Sequence, residues 1–488
     1  MDAPTSTNPG RVLYLQNCAR AEAVSTAEKI IDLHPQGEAG LATFTDTDVA
    51  NAQRLAKRHL CNIRYTTAAG WLVWDGKRWR EDEKDVRIQA LAKETSIAIF
   101  DEIKGAPDRD IIIRHAKRSQ AKKSIDAMIA LARSEPGVYV ELTDFDTDPF
   151  LLNVANGTID LKSGLLREHR RDDLLTKFVP IVYDVNADCE LWNKFLTRVT
   201  NNNSELYGYL RRLLGYMLTG STTEQVLHFL FGLGANGKSV FIEIVNALLG
   251  DYAVIVSPDL IMLKRHSGIP NDVARLRGAR AALMNETNQG ARFDEAKLKD
   301  LTGGDKQTAR FLHREFFDFL PTHKLVIRGN HKPSINGTDE GVWRRLRLVP
   351  FTVSIPAGEQ DHDLLTKLQA ELPGILRWAV DGCLEWQREG LQAPECVTAA
   401  VRDYRTESDT LGRFLSEECE IRNLAQVKSS SLYKRYQAFC EQAGERWIPL
   451  KDLPAEMERR GFEQKRTGFG VFYLGVELTQ SVESSWPV

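Results

Sequence analysis

The stretch HFLFGLGANGKSVFIEIV, residues 228–245, runs an apolar segment into a glycine-rich turn, a lysine and a serine, then into a second apolar segment. It fits the spacing Gly-x-x-x-x-Gly-Lys-Ser through Gly232, Gly237, Lys238 and Ser239, with Gly234 and Asn236 inside the turn. Glycines let backbone N–H groups converge on phosphate oxygens, a lysine here reaches the β- and γ-phosphates, and the serine hydroxyl binds Mg²⁺. VLHFLF before the turn predicts a buried parallel strand and KSVFIEIVNALLG after it a helix, which is the context the motif requires. The reading implies a nucleoside triphosphate, with Mg²⁺ as its metal.

Hydrolysis also needs a carboxylate beside the metal to hold or polarise water. ARAALMNETNQG predicts a second apolar strand ending in Asn285 and Glu286, and Glu286, 48 residues after Lys238, is the candidate general base and metal-site carboxylate. THKLVIRGN predicts a third strand ending in Asn330, whose amide can hold the attacking water or a γ-phosphate oxygen. GTDEGVWRRLRLVPF places Arg344, Arg345 and Arg347 just ahead of a fourth strand. Such a cluster is either a solvated face or, across a subunit interface, the source of a guanidinium for a neighbour's γ-phosphate.

Bulk properties narrow the class. At 488 residues the chain exceeds what one core usually supports, and 42% hydrophobic with 27% charged residues is ordinary for a globular protein. A formal net charge of −3 means that any nucleic-acid surface must be local. The seven cysteines show no zinc spacing and read as reduced. No apolar run reaches the ~18 residues of a membrane span, so a cytoplasmic protein without membrane contact is expected.

Along the chain, residues 1–45 read as a flexible arm, and 46–200 as a mostly helical domain with β-hairpins at GWLVWDGKRW and within FLLNVANGTIDLKSGLLREH. The turns of the latter are placed at Asn156-Gly157 and Ser163-Gly164. Residues 201–358 form the ATPase core, 359–410 a helical extension, and 411–488 two helices and a hairpin turning at TGFG, the order of a winged-helix-like domain. Trp71, Trp74 and Trp79 read as packing residues.

Together, LFGLGANGKS, LTGGDKQTARFLHREFFDF, RGNHKP and DEGVWRRLRLVPF resemble superfamily 3 helicases of the phage and plasmid primase-helicase type, related to the poxvirus helicase-primase. The resemblance implies an α/β fold with an AAA+ P-loop core, a homo-hexameric ring consuming ATP between subunits, and translocation on single-stranded DNA, usually 3′ to 5′, to open forked DNA. It assigns Lys238 and Ser239 to the P-loop, Glu286 to the second motif, Asn330 to the sensor, and Arg345 first among the finger candidates. In this family a hairpin before the sensor strand enters the channel. ARFLHREFFDF has two apolar flanks around a polar tip, so His313 and Arg314 are expected to follow DNA phosphates, with Lys306 and Arg310 near the base.

The sequence departs from the pattern in two places. Asn285 stands where many ring ATPases have an acidic residue, which leaves metal binding to Ser239 and Glu286. Few residues precede Asp46, and the Asp46–Asp48 and Asp146–Asp148 pairs read as loop and cap residues, so no primer synthesis is expected from this chain alone. The C-terminal unit, with Lys451, Lys465 and Arg466, suits either duplex origin DNA or a separate primase. A loader ATPase acting on a protein partner and an RNA-directed motor are the competing functions.

Overall fold

The computed structural model describes residues 45–105, 108–263, 271–285, 290–310, 316–335 and 340–479. Glu286, His313, Arg314, Cys18 and nearly all of the expected N-terminal arm lie outside the described residues.

The Thr47 side chain accepts the amide of Ala50 and opens the first helix, Asp48–His59. Ala52, Leu55 and Ala56 of this helix pack with Ile88, Ala92, Ile125 and Met128 of the helices Val86–Ala98 and Lys122–Ala132. The same cluster takes in Ile63, Trp71 and Val73 of an antiparallel sheet of β1 (Ile63–Thr66), β2 (Gly70–Trp74) and β3 (Trp79–Glu81). The Asp75 carboxylate accepts the amides of Lys77 and Arg78, both at 2.9 Å, and closes the expected hairpin. Trp71 and Trp79 are buried and Trp74 is half-buried against Trp79, so all three are packing residues.

A second small sheet follows: β4 (Leu151–Val154), β5 (Gly157–Asp160) and β6 (Leu165–Arg167). Val154 pairs with Gly157, so the first turn is Ala155-Asn156, one residue earlier than expected, and Gly157 opens β5. Leu152, Ile159, Trp192, Leu210, Phe241, Leu283, Val349 and Trp378 lie in one cluster, which makes the packing continuous across residue 200.

Five parallel strands form the centre: β7 (Leu227–Phe231), β8 (Ala253–Val256), β9 (Ala281–Met284), β12 (Lys324–Gly329) and β13 (Leu346–Pro350), in the order β13-β7-β12-β9-β8. β9 is buried throughout, and β7 and β12 at all but one position, which is why they read as nearly unbroken apolar runs. β8 carries no comparable signal, because AVIV is short and Ile255 faces solvent at the sheet edge. β7 stands second in the sheet, so the crossover helix Lys238–Leu249 carries the chain past β12 and β9 to the far edge. That reversal makes a crevice at the C-terminal ends of the strands. A separate antiparallel pair, β10 (Gln307–Arg310) and β11 (Phe316–Phe319), precedes β12.

Helices Leu364–Ala370, Leu372–Glu389 and Glu395–Ser408 return across the core. The amphipathic run from 363 to 386 breaks at Glu371, ahead of Pro373, and the Glu371 carboxylate accepts the amides of Leu191 and Trp192 at 3.0 and 2.9 Å. This long-range cap secures the N-terminus of helix Glu190–Val199. The C-terminal unit runs helix Thr410–Glu418, β14 (Cys419–Lys428), helix Ser429–Gln442, helix Leu453–Arg459, β15 (Gln464–Thr467) and β16 (Gly470–Leu478), with sheet order β14-β16-β15 and its own core around Phe414, Tyr436, Met457 and Tyr473. Among the described residues no helix is long and apolar enough to cross a membrane.

At the other end of the central sheet, Arg280 and Lys324 are buried and donate to the carbonyls of Leu218 and Thr219, just past helix Ser204–Met217. The negative end of that helix offsets part of the cost of burying two cations. Burial also pushes His228 down to about 3 and His323 down to about 4, so both imidazoles are neutral when folded. The unfolded chain then binds more protons below its histidine pKa. Stability is complete above that value and falls on acidification, by about 2 kcal/mol per histidine between pH 7 and pH 5. Urea midpoints measured across that interval check this, and a flat profile would contradict it.

Candidate functional site

The glycine-rich turn sits where β7 ends. Gly234 and Gly237 adopt φ of 97° and 85°, which glycine takes without strain, and a Cβ at Gly237 would lie 2.6 Å from Val199 Cγ1. Ala235 shares the left-handed region at φ 46°, held by its carbonyl accepting the amide of Ile355 at 2.8 Å. Asn236 is buried and donates through Nδ2 to the Phe351 carbonyl at 3.0 Å, tying the loop to the end of β13. Gly237 caps the helix Lys238–Leu249 with no side-chain bond to its first turn, so those amides face the crevice, as an anion site requires.

Lys238 is 6% exposed, and its Nζ donates to Gly232 O at 2.6 Å, Asn236 Oδ1 at 3.0 Å and Asn330 Oδ1 at 3.2 Å. The last bond joins two sequence-predicted residues 92 positions apart, because β12 lies beside β7 in parallel register, Gly329 against Phe231. Ser239 is exposed on the first turn of the helix.

These groups open into a cleft of about 750 Å³. Its floor is Gly234, Asn236, Gly237, Lys238 and Ser239, with Asn285, Arg328 and Asn330 from neighbouring strand ends. The far wall has no signature in the sequence: Leu191, Lys194, Phe195 and Arg198 come from helix Glu190–Val199, and Ile355, Glu359, Gln360, Asp361, His362 and Leu364 from the segment after β13. Arg198 and Glu359 form an ion pair across it, and Lys367 donates to Asp361 at 2.6 Å, holding that carboxyl below the usual carboxylate range. The one hint of Arg198 and Lys194 is their place on the amphipathic helix ahead of the turn, but only packing sets that helix over the loop. The wall pairs apolar surface with charged groups, as a site for a flat heterocycle bearing phosphates would.

The structure brings Gly232, Gly234, Asn236, Gly237, Lys238, Ser239 and Asn330 together. It does not bring Arg344, Arg345 or Arg347 to them. Leu346 of β13 pairs with Leu227, the first residue of β7, and Leu227 N donates to Arg345 O at 2.7 Å, so the arginines stand at the N-terminal end of the sheet. About 13 Å of strand separates that end from the loop. Arg344 is exposed, whereas Arg345 donates to Gly341 O and Arg347 to Arg344 O, each at 2.8 Å. On the β10–β11 hairpin, Lys306 pairs with Asp318 at 2.9 Å near the base, as expected, whereas Arg310 is paired with Phe316, the last strand pair before the turn, and lies over that ring at 4.9 Å, so it stands at the turn end and not at the base.

A family described as "D5 N terminal like" matches residues 52–201, and one described as "Family of unknown function" matches residues 230–345. The chain is 28% identical over 299 residues to "Putative helicase L207/L206" of Acanthamoeba polyphaga mimivirus, covering 57% of this chain and 31% of that protein. It is 25% identical over 356 residues to "Putative helicase 022R" of Frog virus 3 (56% and 36%), and 29% identical over 213 residues to "Putative primase C962R" of African swine fever virus (41% and 22%). The chain therefore spans about a third or less of the length of these curated relatives. Among solved structures it is similar to the apo NrS-1 C terminal region, with a TM-score of 0.47 and 10% identity over 88% of this chain and 99% of that one. The D5 N terminal like match and the viral relatives named as putative helicases and primases support the resemblance to the phage and viral primase-helicase family related to the poxvirus helicase-primase.

Proposed function

We propose that this chain is an ATP-dependent replicative DNA helicase of superfamily 3, with an AAA+ core and a winged-helix-like C-terminal unit, working as a homo-hexameric ring on single-stranded DNA, with 3′ to 5′ polarity. One observation carries the reading: Lys238 and Asn330 meet over an uncapped helix N-terminus, while the arginines ahead of β13 lie at the opposite end of the sheet. A cradle without a nearby arginine from that cluster suits a site completed by the next subunit. The strand order, with the loop-bearing strand β7 between β13 and β12, supports the same core.

The residues present fit a nucleotide. Gly237 has no space for a side chain, Lys238 is aimed into the floor, and the amides of the first helical turn are available to phosphate. Bound MgATP supplies the phosphoanhydride bond and the cation that neutralises its charge, and Ser239 with Glu286 would hold that cation. Lys238 and the amides orient the phosphates, Asn330 positions a water or a γ-oxygen, and the apolar wall of Leu191 and Phe195 excludes bulk water from one side.

Strand displacement on forked DNA tests the reading: ATP-dependent opening is expected, with turnover stimulated more by DNA than by RNA of the same sequence. DNA-independent turnover without opening would favour a protein-remodelling ATPase, and stimulation by RNA alone an RNA motor. In the same assay His313→Ala with Arg314→Ala is expected to keep basal ATP turnover and to abolish strand opening. Full opening by that double variant would remove the hairpin from the mechanism.

A further inference from the structure

The C-terminal unit carries its cations in two different states. On helix Leu453–Arg459 and its end, Glu456 takes up both arginines: Arg459 pairs with it at 3.1 Å, and Arg460 at 2.5 Å while also reaching Asp409 at 2.7 Å. Asp452 and Glu458 are exposed on the same helix, so this element offers a polyanion little net attraction. The hairpin β15–β16 is the opposite. All four residues of β15, Gln464 to Thr467, are exposed, and β15 is an edge strand. Among the described residues, Lys465, Arg466 and Lys428 show no carboxylate within ion-pair distance.

At the tip stands Phe469, 88% exposed. The turn that presents it is held from within, since Phe469 N donates to Thr467 Oγ1 at 3.2 Å and Thr467 Oγ1 donates to Gly470 O at 3.1 Å. Lys428 passes close by, because a Cβ at Gly470 would sit 3.2 Å from Lys428 Cε. Leaving a whole phenylalanine in water is unfavourable for the isolated chain, and one ordered aromatic ring among unpaired cations matches a base stacked between phosphates.

We propose that the β15–β16 hairpin, and not helix Leu453–Arg459, is the surface by which the C-terminal unit binds DNA, with Lys465, Arg466 and Lys428 on the phosphates and Phe469 stacked on the exposed base pair at a single-strand/duplex junction. An apolar side chain at such a step is a known means of gripping an unstacked base pair. The choice of DNA rests on the function proposed above; the choice of hairpin over helix does not.

Fluorescence anisotropy tests this on the full chain without ATP, with a labelled fork, a single strand of the same sequence and a closed hairpin duplex lacking a junction. Phe469→Ala is expected to weaken fork binding about ten-fold and Phe469→Trp to restore it, with little change on the single strand. Lys465→Ala with Arg466→Ala is expected to lower the slope of log affinity against log salt by about 2, near 0.9 for each duplex phosphate that is no longer neutralised. Both positions are solvent-exposed, and DNA-free ATP turnover, unchanged in each variant, reports that the core is intact. Equal fork affinity in wild type and a Lys465, Arg466, Phe469 triple alanine variant would overturn the proposal, as would equal losses on all three probes. A strand-displacement assay on the wild type beside the titration separates the two readings: fork binding that depends on the hairpin, without strand opening, would sink the helicase and leave the hairpin site standing.

Discussion

Arg345→Ala is expected to cut ATP turnover by about 10³ to 10⁵-fold while nucleotide affinity stays near wild type. The expectation comes from where the strand register places the residue. β13 runs parallel to β7 with Leu346 opposite Leu227, so Arg345 enters at the end of the sheet farthest from Gly237 and Lys238. Its side chain is half-buried and donates to Gly341 O, so the substitution removes a guanidinium from a surface turn and leaves the cleft of its own chain intact. On the shared site proposed above, such a residue acts on hydrolysis by meeting the nucleotide of an adjacent copy. Mixing Arg345→Ala with Lys238→Ala subunits provides the decisive measurement, because some interfaces then pair an intact cradle with an intact arginine. Recovery of turnover in the mixture is the expected result. Full turnover by Arg345→Ala alone would move the role to exposed Arg344 or to Arg347, and no recovery on mixing would argue against a shared site.

Lys238→Ala is expected to lose about 10² to 10³-fold in turnover and all strand opening. The ammonium is held by Gly232 O, Asn236 Oδ1 and Asn330 Oδ1, so its position is set by the protein's own groups. Removing it leaves those acceptors facing a cleft that water can fill, and thermal stability should therefore change little. A fluorescent nucleotide titration beside the turnover assay separates weak binding from slow chemistry. Wild-type turnover in a folded Lys238→Ala protein would remove the glycine-rich turn from the reaction altogether.

Much of this machinery is legible in the sequence because its parts obey local rules. The turn at 232–239 needs glycines at fixed positions between a buried strand and a helix, and the structure has Gly234 and Gly237 there at φ values of 97° and 85°. The strands ending at Asn285 and Asn330 show as apolar runs because both faces of the sheet are covered. The β10–β11 flanks and the Asp75 hairpin follow from turn chemistry and alternation. The Ala155-Asn156 turn differs by one residue from the expected Asn156-Gly157, because Asn-Gly is the common two-residue turn, whereas here Gly157 already pairs with Val154.

By itself the sequence determined which residues form the glycine-rich turn and present its lysine, since backbone conformation and side-chain type at close spacing are local properties. Only the tertiary structure decided that β7 lies between β13 and β12, that Leu191, Phe195 and Arg198 wall the cleft opposite the loop, and that the three arginines stand at the far end of the sheet. It also decided which C-terminal cations are neutralised by Glu456 and which remain open on the β15–β16 hairpin. Those facts depend on crossovers and on packing between segments far apart in the chain, and spacing along a chain carries no record of which strand becomes another's neighbour.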